Sequence, residues 1–579
     1  MKNKKLITIC LAWLPAAGIL HAQQSAVCSN PNAYTTIHAN NIKAGLLNAG
    51  DLFWDFNNAQ FFPNPTPNGP NPATIFAAGL WIGGLDPFHE LKLATSTYRN
   101  NGATDYWAGP LSADGVTEAT VCENWDRFFS VKGSDIKSFL DDLPDLVNNP
   151  GAALANYKGI MGWPATGNPY FADAWGFDLP FTPGGLAAFY DDDNDGQYDP
   201  LKGDYPVVQL QGKPAFVPEE IVWCVFNDHG GGSIHAASQG QPLQVEVQLT
   251  VWAFNDPGKP VLNNTLFTSH RIINRNTQLL DSCFVAMWVD FDLGCYADDY
   301  IGSAPDLDAF YAYNQDALDG SPGTTCDFGI ATFGDNPPVQ SVTFLSRSLD
   351  KFVYYNNAGV GSQFAATTDP NLPLEYYRYL TGNWRDGSPF TYGGSGYQSS
   401  ATPVDYAFPT LPNNPNGWNM CNANLSYGDR RALGIHKIGS LFPGQIEELV
   451  TAWAVHYDLD LPCDLGSTLD DIAEIHDLHN FFDDGFAGVA SPLTSIPEIF
   501  DASIGVFPNP AAQKVTLGYG DLSIREIRIA APDGRCVQTL QNIQPEQTVL
   551  NVSGWCSGVY TVQLLTEHGV AVKKISVLK

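Results

Sequence analysis

Basic residues are scarce in this chain. Its 579 residues include 29 Lys and Arg against 61 Asp and Glu, a formal charge of −32. That balance disfavours nucleic acid and anionic membranes, and favours solubility and cation binding. Apolar runs long enough for a membrane helix are missing beyond residue 20. No two cysteines form a C-x-x-C pair, so a zinc site or a thioredoxin-type centre is not suggested. Catalytic signatures are also thin. There is no H-E-x-x-H and no Walker-type glycine loop, and His89-Glu90 has no second His at the required place. Gly393-Gly394-Ser395-Gly396 lacks nucleophile-elbow spacing and reads as a tight loop.

Turn formers and aromatics are abundant. With 54 Gly, 41 Pro and 12% aromatics, the composition predicts a mainly β chain with packed cores. The expected class is β-sandwich-like units with long ordered loops and few short helices. Leu243, Val245, Val247, Leu249 and Val251 alternate with polar residues, which predicts a strand with one buried and one wet face. Ile446 to Val455 reads likewise. Ile221–Phe226 and Cys283–Val289 are apolar throughout and read as strands buried on both faces. Helices are expected over Ser134–Leu143, capped by Ser134, and over Ser467–Phe482. Residues 49–110 and 360–425 read as long ordered loops over sheets.

The N-terminus reads as a secretory signal. Lys2, Lys4 and Lys5 precede the apolar stretch Leu6–Leu20, with a cut expected after Ala22. Ten cysteines then remain in a compartment that permits disulfides. Cys536 with Cys556 is the expected pair, since both fall in one small domain. The expected division is a signal peptide at 1–22, a β-rich unit at 23–206, a second at 207–486, a linker at 487–504, and a small sandwich at 505–579. The last 75 residues carry +2, while residues 23–504 carry −37.

Two acidic groups are candidate cation sites. Counting from Asp191, carboxylates fall at positions 1, 3, 5 and 9 with Gly196 at 6, the first half of an EF-hand-like calcium loop. Position 12 is Lys202 and Pro200 opposes a continuing helix, so a helix-loop-helix hand is not expected. The loop resembles those of thrombospondin type 3 or dockerin-like repeats. The candidate ligands are Asp191, Asp193, Asp195, Gln197, Asp199 and Asp204, holding structural Ca2+; a solvated acidic turn is the plain alternative. The second group is Asp290, Asp292, Asp298 and Asp299, with oxygens nearby from Asp306, Asp308, Asn314 and Asp316. Calcium or turn hydrogen bonding is the first reading, and a glycosidase acid and base is the other. Trp81, Trp107, Trp163, Trp384 and Trp418 lie in loop-like sequence, where they stack on sugars or plug a core. His476 and His479 are spaced to share a metal or to pack a helix face. Arg430 and Arg431 are expected to pair with acidic residues.

Four motifs stand in order at the C-terminus: Phe507-Pro508-Asn509-Pro510, Asp533-Gly534, Gly558-Val559-Tyr560, and a basic end with Lys573 and Lys574. Together they resemble the type A C-terminal sorting domain of the type IX secretion system. The resemblance implies an immunoglobulin-like sandwich at 505–579 and a Gram-negative cell-surface or secreted protein. It implies two partners, the outer-membrane translocon and the surface protease that removes the domain. A lipopolysaccharide anchor or release would follow. Blocks such as Ala77–Gly84 and Gly428-Asp429-Arg430-Arg431 resemble other exported proteins with this tail. The middle region is expected to be an adhesive or ligand-binding module for glycans or host proteins, with a glycan-acting hydrolase as the alternative.

Overall fold

The computed structural model describes residues 28–578 except 67–70, 100–101, 181, 183, 321–325, 327–330, 336, 359–363, 413, 426–427, 458–462, 464–467, 488, 490–503, 521–523, 532–535, 542, 544–545 and 567–569. The expected signal peptide and most of the expected linker lie outside these residues. The chain is mainly β, with 38% strand and 15% helix.

Two nine-stranded antiparallel sheets make up the body. The first has at its centre Ile75–Leu85, Leu280–Phe291 and Arg430–Leu441, side by side in that order. The second runs through Val339–Phe344, Ile446–His456, Thr265–Asn274, Val245–Ala253 and Glu220–Asn227. Strands from either side of residue 206 share both sheets: Ile75–Leu85 pairs with Leu280–Phe291, and Phe129–Lys132 pairs with Glu220–Asn227. The sheets therefore close one continuous core, which includes Trp81, Val247, Leu249, Trp288, Phe310 and Trp453. Residues 49–110, expected as loop, supply the long central strand Ile75–Leu85. Residues 360–425 do pack over the first sheet, and Tyr379, Trp384, Phe390 and Trp418 join its core.

The second sheet carries a layer of which the sequence pattern revealed only two helices. Five helices between Ala119 and Trp175, together with Thr468–Asp483, cover its outer face. Val245, Val247, Leu249 and Val251 face the inter-sheet core as the alternation predicts. The opposite face is not wet: Glu246 and Gln248 are buried, and so is every residue of Ile446–His456. Phe139, Met161, Trp163, Leu478 and Phe486 pack there against Trp223, Trp252 and Phe267. Both expected helices form, as Gly133–Leu146 and Thr468–Asp483. Lys132 rather than Ser134 occupies the cap position of the first.

Disulfides join Cys28 to Cys122, Cys295 to Cys326 and Cys421 to Cys463. The expected Cys536–Cys556 bond is not formed. Cys556 is an exposed free thiol in a turn whose carbonyl accepts the Tyr560 hydroxyl. The tail is a separate sandwich of a three-stranded and a four-stranded sheet. Its core of Ile504, Val515, Leu517, Ile527, Val562 and Ile575 shares no residue with the body cores.

Candidate functional site

The first acidic loop is exposed and self-bonded. Gly196 takes a φ of 75°, a conformation that favours glycine, and the chain turns there. Carboxylate oxygens of Asp191, Asp193 and Asp195 lie within 4.8 Å of one another. Asp191 accepts from the N–H groups of Asp195 (3.2 Å) and Gly196 (2.8 Å). Lys202 Nζ stands 3.1 Å from Asp193 and 2.9 Å from Asp195, so an ammonium balances this trio. Gln197, Asp199 and Asp204 do not join it. The Gln197 amide donates to Gly196 O, and Asp199 caps the turn by accepting from Leu201 N–H. Asp204 is buried and braces the loop instead, accepting from Asp192 N–H (2.9 Å) and Asp199 N–H (2.7 Å). Burial pushes its carboxyl up to about 6, against the two hydrogen bonds that lower it.

The second acidic group is buried and larger than its sequence neighbours. Asp290 ends the Leu280–Phe291 strand, directly across from Arg431 on Arg430–Leu441. This register brings Asp429 beside Asp290 and Asp292, with oxygens within 4.8 Å of one another. Arg431 Nη2 lies 3.3 Å from Asp290, and its Nη1 donates to Asp429. Tyr98 donates its hydroxyl to Asp290 and accepts from Arg431, and the Asn357 amide donates to Asp429 (2.7 Å). One guanidinium thus pairs with two of the three carboxylates, and Asp292 has no ion pair of its own among the described residues. Burial and the Asp429 charge push Asp290 up to about 7 in spite of Arg431, and burial with both neighbouring charges raises Asp292 well above the carboxylate range. Asp290 Oδ1 is buried with no hydrogen-bond partner.

Asp298 and Asp299 form the adjoining half. Asp299 and Asn314 face each other at the end of the strand pair Asp299–Ala304 and Ala309–Asn314. The backbone N–H of Gln315 donates to Asp298 O, which sets the next pair side by side. One oxygen of each aspartate is used: Asp299 accepts from Leu293 N–H, and Asp298 from Gly320 N–H. The other oxygens, Asp298 Oδ1 and Asp299 Oδ1, are buried without a donor, as are Asn314 Oδ1 and Gln315 Oε1. The Asn314 amide nitrogen donates to Asp316 O (2.9 Å), which fixes the direction of its Oδ1. Burial is the main cause that lifts Asp298 and Asp319 to about 6 and Asp299 well above the usual range. The Asp292 charge adds to the shift at Asp299, so the two halves are electrically continuous. Asp306 and Asp308 lie apart from them, in the turn before Ala309–Asn314, and Asp308 Oδ1 caps Leu349 N–H.

Sequence reasoning had Asp290, Asp292, Asp298, Asp299 and Asn314. It missed Asp429, Tyr98 and Gln315, although Asp429 stands in the block with Arg430 and Arg431. Of the two readings of the tryptophans, core packing is the one found: Trp81, Trp107, Trp163, Trp384 and Trp418 are all buried. His476 is exposed while His479 donates to Leu307 O, so the two do not converge on a metal.

In the tail, Asn509 joins the opening motif to the final strand. Its amide donates to Lys574 O (2.9 Å), and its oxygen accepts from Ser576 N–H (2.8 Å). Pro508 and Pro510 flank it, and Ala511 continues against Val577. Gly558 opens the strand on which Tyr560 is buried, against Trp555. Lys573 is half-buried and Lys574 exposed on Val570–Val577. Asp533 and Gly534 lie outside the described residues.

The chain is a two-sheet body followed by a terminal sandwich with its own core. Residues 505–578 match the family of secretion system C-terminal sorting domains. The tail is the sorting domain of the type IX secretion system, which it engages to send the protein to the cell surface or the medium. No described helix is long and apolar enough to cross a membrane. No curated protein matches the chain. Among solved structures, the chain is compared with a biofilm-associated protein BSP domain at 7% identity and a TM-score of 0.13, covering 96% of this chain and 84% of that one. A likeness that low carries no argument.

Proposed function

We propose that residues 28–486 are a calcium-stabilised binding module that works outside the cell without catalysis, on glycans or host proteins. One observation carries the calcium reading. Asp298, Asp299, Asn314 and Gln315 each bury an acceptor oxygen that meets no donor. An unpaired buried acceptor costs about 1–3 kcal/mol, and a bound cation would satisfy such oxygens, as ordered water would. Two carboxylates and two amide carbonyls are hard oxygen ligands, which suit Ca2+ better than Zn2+. The exposed trio of Asp191, Asp193 and Asp195 is a second, weaker locus in which Ca2+ would displace Lys202. A hydrolase finds no support here, because Asp290 is tied to Tyr98 and Arg431 and the tryptophans are core.

Thermal unfolding of the exported protein, with calcium and with chelator, tests this. Calcium at 100 times its Kd is expected to stabilise by about 2.7 kcal/mol. Asp299→Asn should abolish most of that gain, and Asp193→Ala with Asp195→Ala only a small part. An unchanged melting temperature on chelation would count against both loci. A glycan and host-protein array then tests the binding role.

A further inference from the structure

A cleft of about 810 Å3 separates the body from the sorting tail. It is large enough for a small organic ligand. Beside it, Phe442 of the body packs on Phe507 of the tail at 5.5 Å.

Its floor holds a cation with few partners. Arg271 stands between Gln248 and Glu448 in the cross-strand register of the second sheet. It donates one hydrogen bond, to Gln248 Oε1 at 3.0 Å, and meets no carboxylate at ion-pair distance among the described residues. Glu448 also lines the cleft and its charge acts on Arg271 without ion-pair contact, while its oxygens accept from the Ser269 hydroxyl (2.8 Å) and Gln211 N–H (2.6 Å). The guanidinium lines the cleft with donors beyond that one bond, and burial lowers its pKa against the Glu448 and Glu246 charges, which raise it. Asp191 and Asp195 also line the cleft, but the first is spent on loop N–H groups and the second on Lys202. The tail adds Lys573 and Lys574, and Lys574 makes no ion pair among the described residues.

We propose that this cleft binds a small ligand bearing an oxyanion (carboxylate, phosphate or sulfate) between the Arg271 guanidinium and the tail's Lys574. A planar guanidinium suits a bidentate oxyanion, and a second cation from the tail's part of the lining adds to the charge match. Because one wall belongs to the tail, the site is complete only while body and tail are joined. Such a ligand ties the tail to the body and is released when the tail is removed.

Titration calorimetry on the full chain tests this with inorganic sulfate and D-glucuronate as probes. Concentrations stay below about 10 mM, so that general salting effects remain small. Saturable binding of at least one probe is expected, weakened about tenfold or more by Arg271→Gln. Arg271→Lys, which keeps the charge, should fall between them. A chain truncated after Val489 retains both body cores and should bind several-fold more weakly, as should Lys574→Gln in the full chain. No binding of either probe by the full chain would overturn the proposal. So would equal affinity in a folded Arg271→Gln protein. Undiminished affinity in the truncated chain and in Lys574→Gln would remove the tail from the site.

Discussion

Asp290 and Asp429 share the Arg431 guanidinium, and Asp292 lies beside both, so the protonation of the three is linked. The carboxyls of Asp298 and Asp319 are pushed up to about 6 and that of Asp290 to about 7, chiefly by burial. A carboxyl with a higher pKa folded than unfolded binds its proton more tightly in the fold. Its contribution to stability is complete below about pH 4 and is lost as pH rises through about 6 to 7. In calcium-free buffer, Asp298→Asn should therefore be more stable than wild type near pH 8. The difference should shrink on acidification to about pH 5. Equilibrium urea unfolding at the two pH values checks the sign, and a difference that grows on acidification would refute it. The sequence supplied these acids but not their ionic state. Periodicity places Asp290 and Asp292 on one face; it does not say that Asp429 and Arg431 arrive on the adjacent strand.

Strands were the most legible elements. Val245–Ala253, Ile446–His456 and Leu280–Phe291 fall where alternation and apolar runs put them. What failed was the environment of one face. Glu246 and Gln248 alternate with valines as on a wet strand, yet distant segments bury them: Leu111 N–H donates to Glu246, Arg275 pairs with it at 2.9 Å, and the Gln248 amide donates to Gly185 O. The helical layer itself was half missed, because the short helices after Ala119 have little amphipathic length to betray them. Packing between the sheets leaves little room at Gly434. A Cβ there would stand 2.3 Å from the Phe310 ring. Gly434→Ala should cost about 1–3 kcal/mol through overpacking, read as a lowered urea midpoint with an unchanged slope. A midpoint equal to wild type would mean the sheets separate there without penalty.

Body and tail have separate cores and opposite charge signs, so the whole molecule is a folded cargo with its own address. The disulfide from Cys28 to Cys122 spans 94 residues and pins the start of the described chain to the helical layer. Removing residues 505–579 should leave the body folded, since no core residue is lost. It should also strand the protein in the periplasm. Fractionation with circular dichroism of the recovered protein checks both halves. Surface export of the truncated chain would contradict the tail's role, and an unfolded body would contradict the independence of the cores.

The sequence by itself determined the tail. Motifs such as Phe507-Pro508-Asn509-Pro510 are local in sequence, and Asn509 acts through backbone hydrogen bonds to the final strand, so its contact needs no particular side chain there. It also determined the β character, because side-chain alternation follows from strand geometry alone. Tertiary structure decided the rest. It closed both sheets across residue 206, buried the tryptophans, and moved Asp204 from ligand to brace. It gathered Asp429 and Arg431 with Asp290, and left four oxygens at Asp298, Asp299, Asn314 and Gln315 without donors. Each of these depends on which distant segment covers a face, and a strand's pattern records its own two faces but not what will pack against them.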